Sequence, residues 1–171
     1  MPDLLQIGGI TDAMQTRLEA AFTIHQLDNF EPEKITHVIT NGHDGVNPDL
    51  MASLTNLKLI SGYGVGYDAV DANEAARRGI YVTHTPNVLN EEVATTALLL
   101  MLACYREALR DDAYVRSGAW ETKGNAPLTR SADNQTVGIL GLGRIGQAIA
   151  NKLAPWNANI VYHSRNKKDV P

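Results

Sequence analysis

A single cysteine, Cys104, is all the thiol this chain carries. An internal disulfide is therefore excluded, and a reducing, cytoplasmic setting is expected. Cys104 stands in an apolar helical run and reads as a core thiol. Excess positive charge is lacking too: 15 Lys and Arg face 19 Asp and Glu, for a net charge of −4. The cations stay scattered until the last few residues, so no basic stripe suited to nucleic acid forms. Long apolar runs are missing. The longest uncharged, mainly apolar stretch, Val93 to Tyr105, is too short to cross a bilayer. Met1-Pro2-Asp3-Leu4-Leu5 does not lead a basic region into an apolar one, so no secretory signal and no membrane partner are expected. His25, His37, His43, His84 and His163 show no metal-ligand spacing. Internal repeats are absent as well.

What is present is alternation. Leu4 to Ile10 reads as a strand, then a helix capped by Thr11 or Asp12 runs to about Ala21. Short strands follow at Phe22 to Leu27 and His37 to Thr40, then a Gly/Asn/Asp loop and a helix entered through Pro48. Leu57 to Ile60 is a strand. Asp71 caps a helix that Gly79 ends, and Ile80 to Thr83 is the next strand. Asn90 is expected to cap a long helix from Glu91 to about Arg110. Its apolar run should be buried on most sides. Ser117 to Ala132 reads as an irregular arm. Strands alternating with helices argue an α/β fold with a mainly parallel sheet. The boundary falls at the start of the long helix, giving domains 1–90 and 91–171.

Gly141-Leu142-Gly143-Arg144-Ile145-Gly146 lies between the strand-like Thr136 to Leu140 and a helix-like run from Gln147 to Ala154. That context makes it a dinucleotide-binding turn rather than a chance glycine cluster. Gly141 permits the turn, Gly143 lets a pyrophosphate approach the backbone, and Gly146 lets the helix pack closely on the sheet. The free N–H groups and positive end of that helix face the phosphates. The alternative is a βαβ unit using its glycines only for packing. The next strand, Asn159 to Tyr162, leads into His163-Ser164-Arg165-Asn166-Lys167-Lys168. An NAD enzyme places a carboxylate about 20 residues past the turn. Here Ser164 and Arg165 can instead bind a 2′-phosphate, with Lys167 or Lys168 adding positive potential. NADP is therefore expected over NAD, unless these are merely solvated charges after a strand.

Several blocks together resemble the D-isomer-specific 2-hydroxyacid dehydrogenases, and among them most resemble the glyoxylate/hydroxypyruvate reductases. They are Ser61-Gly62-Tyr63-Gly64-Val65-Gly66-Tyr67-Asp68-Ala69-Val70-Asp71, Gly79 to Pro86, Tyr105-Arg106 with Tyr114 to Trp120, and the glycine turn. The resemblance implies a flavodoxin-like substrate domain followed by the start of a Rossmann domain, and hydride transfer to C2 of a small 2-oxo acid. It implies that Tyr63, Gly64, Val65 and Gly66 bind the substrate carboxylate. Exposed backbone N–H groups suit an anion, although locally the same residues fit a plain strand-to-helix turn equally well. Arg144 and Ile145 match pyrophosphate-contacting positions. Thr95 stands where many members carry an acid near the nicotinamide. Gly62 replaces a basic residue of the phosphoglycerate-type members, which disfavours a phosphorylated substrate. His84 replaces a common Asn and is assigned no catalytic role.

The resemblance spans nearly all of these residues but only about the first half of a family-length chain. The family's Arg, Glu and His have no counterpart here, so no catalytic residue is assigned. A proton donor contributes ~10²–10⁴-fold, so these residues alone are expected to form an inactive amino-terminal part of a longer reductase. A homodimer through the nucleotide domain is implied, with the long helix, Tyr114 and Trp120 as contacts. A non-catalytic, corepressor-like nucleotide sensor of the same fold is the alternative.

Overall fold

A computed structural model describes residues 1–170 and shows two compact units, Met1–Val88 and the residues from Leu89 onward. The first runs β1 (Asp3–Gln6), α1 (Asp12–Glu19), β2 (Thr23–Gln26), β3 (Ile35–Asn41), α2 (Pro48–Ser53), β4 (Leu59–Tyr63), α3 (Ala72–Arg77) and β5 (Tyr81–Thr83). Its sheet has the order β2-β1-β3-β4-β5, and every neighbouring pair is parallel. That is the flavodoxin-like order, reversing direction between β1 and β3.

Strand residues Leu5, Ile35, Val38 and Ile60 are buried together with Met51 and Leu54 at α2. Each such side chain contributes about 1.5–3 kcal/mol on burial, so this core holds the strand ends and their loops in place. Side-chain caps fix the helix starts. Thr11 Oγ1 accepts from the Met14 N–H (3.3 Å), Asn47 Oδ1 from Leu50 (2.8 Å) and Asp71 Oδ1 from Glu74 (2.9 Å). Gly79 takes φ +72° just past α3, the left-handed turn expected of it. Arg78 donates to the carbonyls of Met51 and Leu54, the latter at 2.9 Å, and so caps the far end of α2.

The second unit runs α4 (Asn90–Tyr105), α5 (Ala108–Arg116), α6 (Ala119–Lys123), β6 (Thr136–Leu140), α7 (Arg144–Leu153), a 3₁₀ turn over Ala154–Trp156, and β7 (Asn159–His163). Strands β6 and β7 pair in parallel, with Gly138 opposite Val161. Helix α4 packs along α7, and Lys152 Nζ meets Glu91 Oε2 at 2.9 Å between them. No helix of the described residues is long and apolar enough to cross a membrane.

Several expectations are corrected here. The first strand stops at Gln6 rather than Ile10, because Gly8 turns the chain at φ +78°. The long helix breaks after Tyr105. Glu107 adopts φ +46°, and the Tyr105 carbonyl accepts the Arg130 N–H at 3.2 Å. The arm is only partly irregular, since α6 lies within it. It is laced to the helices by Arg106 Nε to Thr129 Oγ1 (2.9 Å) and Arg110 Nη2 to the Pro127 carbonyl (3.0 Å). Asn90 lies inside the first turn of α4, which has no side-chain cap. Nor is α4 buried on most sides: Ala94 alone is buried, while Leu99 and Leu100 are 64% and 61% exposed. Cys104 is exposed rather than a core thiol. Helix α7 packs on α4, and apolar residues of α4 such as Leu99 and Leu100 remain exposed.

Candidate functional site

The loops that follow β1, β3 and β4 lie together at the carboxyl end of the first sheet, beside its reversal point, where open α/β sheets bind ligands. Asn41 organises the β3 loop. Its Oδ1 accepts the N–H groups of His43 and Asp44, both at 2.8 Å, and its Nδ2 donates to Asp44 Oδ2 at 2.7 Å. A Cβ on Gly64 would stand 3.4 Å from the Gly42 nitrogen, and one on Gly42 would stand 3.3 Å from the Gly66 carbonyl oxygen. The β3 and β4 loops therefore touch backbone to backbone, and side chains at 42 or 64 would crowd them. From the other side, the Gly64 carbonyl accepts the Thr85 N–H (2.8 Å), and the Val65 carbonyl sits 2.9 Å from His84 Nδ1. Tyr63 is 44% exposed at the end of β4. The four residues Tyr63 to Gly66 thus form one loop braced on two sides.

In the second unit, Gly141 leaves β6 at φ +96° and Gly143 directly precedes α7. Helix α7 begins at Arg144 rather than Gln147, so Arg144 and Ile145 belong to its first turn. No side chain caps this end, and no acidic residue stands in its first turn. Its first N–H groups are available to an anion. Nothing lies within 4 Å of a Cβ built on Gly143, whereas one on Gly146 would meet the Gly141 carbonyl oxygen at 2.2 Å. A cavity of about 360 Å³ opens at this turn, lined by Gly141, Gly143, Ser164, Arg165, Asn166 and Lys168. The structure thus brings the glycine turn and the basic strand end together, as a phosphate-bearing nucleotide requires. Lys168, not Lys167, lines the cavity; Lys167 is exposed. Thr95 does not line this cavity; its hydroxyl donates to the Glu91 carbonyl one turn back on α4 (2.9 Å).

Residues 12–163 match the family model described as D-isomer specific 2-hydroxyacid dehydrogenase, catalytic domain. The chain belongs to that family. It is 39% identical to the 2-ketogluconate reductase of Gluconobacter oxydans over 98% of this chain and 55% of that protein. It is 39% identical to the glyoxylate reductase of Pyrococcus horikoshii over 80% of this chain and 42% of that protein. Among solved structures, the 2-hydroxyacid dehydrogenase of Ketogulonicigenium vulgare superposes with a TM-score of 0.90 at 38% identity. That match covers 98% of this chain and 56% of the other. The NADPH-dependent glyoxylate/hydroxypyruvate reductase of Sinorhizobium meliloti, solved with NADP and malonate, superposes at 0.85 and 36% identity, covering 98% and 55%. The chain therefore spans about half the length of the dehydrogenases it matches.

Two contributors were not foreseen. Asn41 was visible only as part of a polar loop, although Asn ahead of Gly is a turn-forming signal. The sequence shows His84 only as a departure from the family's Asn, with no catalytic role, yet its ring bonds the Val65 carbonyl of the loop.

Proposed function

We propose that these residues supply the substrate-carboxylate loop and the NADP phosphate turn of a cytoplasmic, homodimeric 2-hydroxyacid dehydrogenase. It reduces small 2-oxo acids such as glyoxylate or hydroxypyruvate. One observation carries the cofactor half of this reading. The uncapped, acid-free start of α7 shares a cavity with Ser164 and Arg165, whereas a carboxylate there would repel a 2′-phosphate. Open space where a Cβ on Gly143 would stand leaves room for a pyrophosphate against the backbone. When bound, the nicotinamide supplies the hydride that reduces C2. Val65 and Gly66 hold the substrate carboxylate by backbone N–H groups, Arg144 and Ile145 present theirs to the pyrophosphate, and Arg165 pairs with the 2′-phosphate. Thr95, as an uncharged hydroxyl, borders the nicotinamide without adding charge.

In this reading, residues 1–90 are the substrate domain and 91–171 the start of the Rossmann domain. The proton donor lies outside these 171 residues, so they alone do not turn over. NADPH consumption with glyoxylate, measured on this chain and on a longer protein that carries it, tests the proposal. Turnover is expected only in the longer protein. Turnover by the 171 residues alone, or a longer protein that uses neither glyoxylate nor hydroxypyruvate, would overturn it.

A further inference from the structure

The loop after β4 presents N–H groups only if its carbonyls face elsewhere. In a trans peptide the C=O and the following N–H point in opposite directions. The Gly64 carbonyl is held by the Thr85 N–H at 2.8 Å, which aims the Val65 N–H the other way. The Val65 carbonyl is held by His84 Nδ1 at 2.9 Å, which aims the Gly66 N–H the other way. Among the described residues, neither the Val65 nor the Gly66 N–H has a backbone partner. Both peptide planes are thus set from the end of β5, one by backbone and one by a side chain.

We propose that His84 is a positioning residue for the carboxylate loop. Its Nδ1–H anchors the Val65 carbonyl and thereby orients the Gly66 N–H toward the substrate. The inference rests on the reading of Tyr63 to Gly66 as the carboxylate site. A carbonyl only accepts, so Nδ1 must carry the proton and the neutral ring is the Nδ1–H tautomer. The ring itself is fixed by Tyr67, which meets it edge to face with centroids 5.0 Å apart and planes at 66°. The Tyr67 backbone turns directly into Val70, its carbonyl accepting the Val70 N–H at 3.0 Å. Val70 is buried in the core of the unit. The imidazole therefore bridges Tyr67 and the Val65 carbonyl.

The test uses the 171-residue chain, with sodium malonate as the probe and the amide resonances of Val65 and Gly66 as the readout. Loss of the bond should weaken malonate binding by about five-fold, the worth of one hydrogen bond. His84→Gln, whose amide reaches the place of Nε2, should show that loss. His84→Asn, whose amide nitrogen occupies the place of Nδ1, should restore wild-type saturation. Nitrogen-15 spectra of neutral His84 should show the proton on Nδ1. Equal binding in the wild type and both variants, or a proton on Nε2, would overturn the positioning role while leaving the loop reading intact. If malonate leaves Val65 and Gly66 unperturbed in the wild type, the loop reading falls and takes this inference with it.

Discussion

The carbonyl oxygen of Gly141 stands 2.2 Å from where a Cβ on Gly146 would be. The turn that leaves β6 and the first turn of α7 are therefore packed against each other with no room for a methyl group. Gly143 occupies the same turn with open space around it. The two glycines should thus respond differently to alanine. Gly146→Ala should cost about 1–3 kcal/mol through overpacking and also abolish nucleotide binding. Gly143→Ala should leave the melting temperature nearly unchanged and weaken only the nucleotide, whose pyrophosphate would meet the new methyl. Thermal melts paired with NADPH titration separate the two; equal loss of stability in both variants would refute the distinction.

Cofactor choice should follow the strand end. Arg165 and Ser164 share the cavity with the glycine turn, and a charge-assisted bond to phosphate contributes about 1.5–3 kcal/mol. The double variant Ser164→Asp, Arg165→Ala should lower the NADPH-to-NADH affinity ratio by about ten-fold or more. An unchanged ratio would mean that these side chains do not contact the 2′-phosphate.

Arg78 should matter for stability rather than ligand binding. Its guanidinium satisfies two carbonyls at the end of α2, those of Met51 and Leu54. Arg78→Ala leaves both without that partner and should destabilise the first unit by about 1–3 kcal/mol. Arg78→Lys should recover only part of this, because an ammonium lacks the fork that reaches both oxygens. Chemical denaturation of the three proteins checks the order; a silent Arg78→Ala would remove the cap from the account.

The outward apolar surface of α4 is the surface the proposed homodimer would cover. Leu99 is 64% exposed, so Leu99→Glu should fold normally. Sedimentation should show self-association in the wild type and its loss in the variant. A wild-type chain that stays monomeric at high concentration would argue against this face as the contact.

Much of the fold was legible because its signals are local. Thr11, Asp71 and Gly79 act where capping chemistry puts them. The order of strands and helices follows from period and punctuation. Some misreadings are local, as where Gly8 ends β1 early, but others arise because the deciding partner lies far along the chain. Arg106 and Glu107 are adequate helix formers, and the break after Tyr105 coincides with its carbonyl bonding to Arg130. Apolar residues such as Leu99, Leu100 and Cys104 carry no mark that separates a buried core from an exposed surface. Within the site, the glycine turn and the Gly64–Gly66 loop were readable as motifs. The role of His84 was not, because its meaning depends on which carbonyl β5 brings within reach.

The most direct measurement of the central claim is calorimetric titration of the 171-residue chain with NADPH and with NADH under identical salt. Both should bind, NADPH more tightly, and added salt should narrow the difference as the phosphate–arginine pair is screened. Tighter binding of NADH, or no binding of either nucleotide, would contradict it.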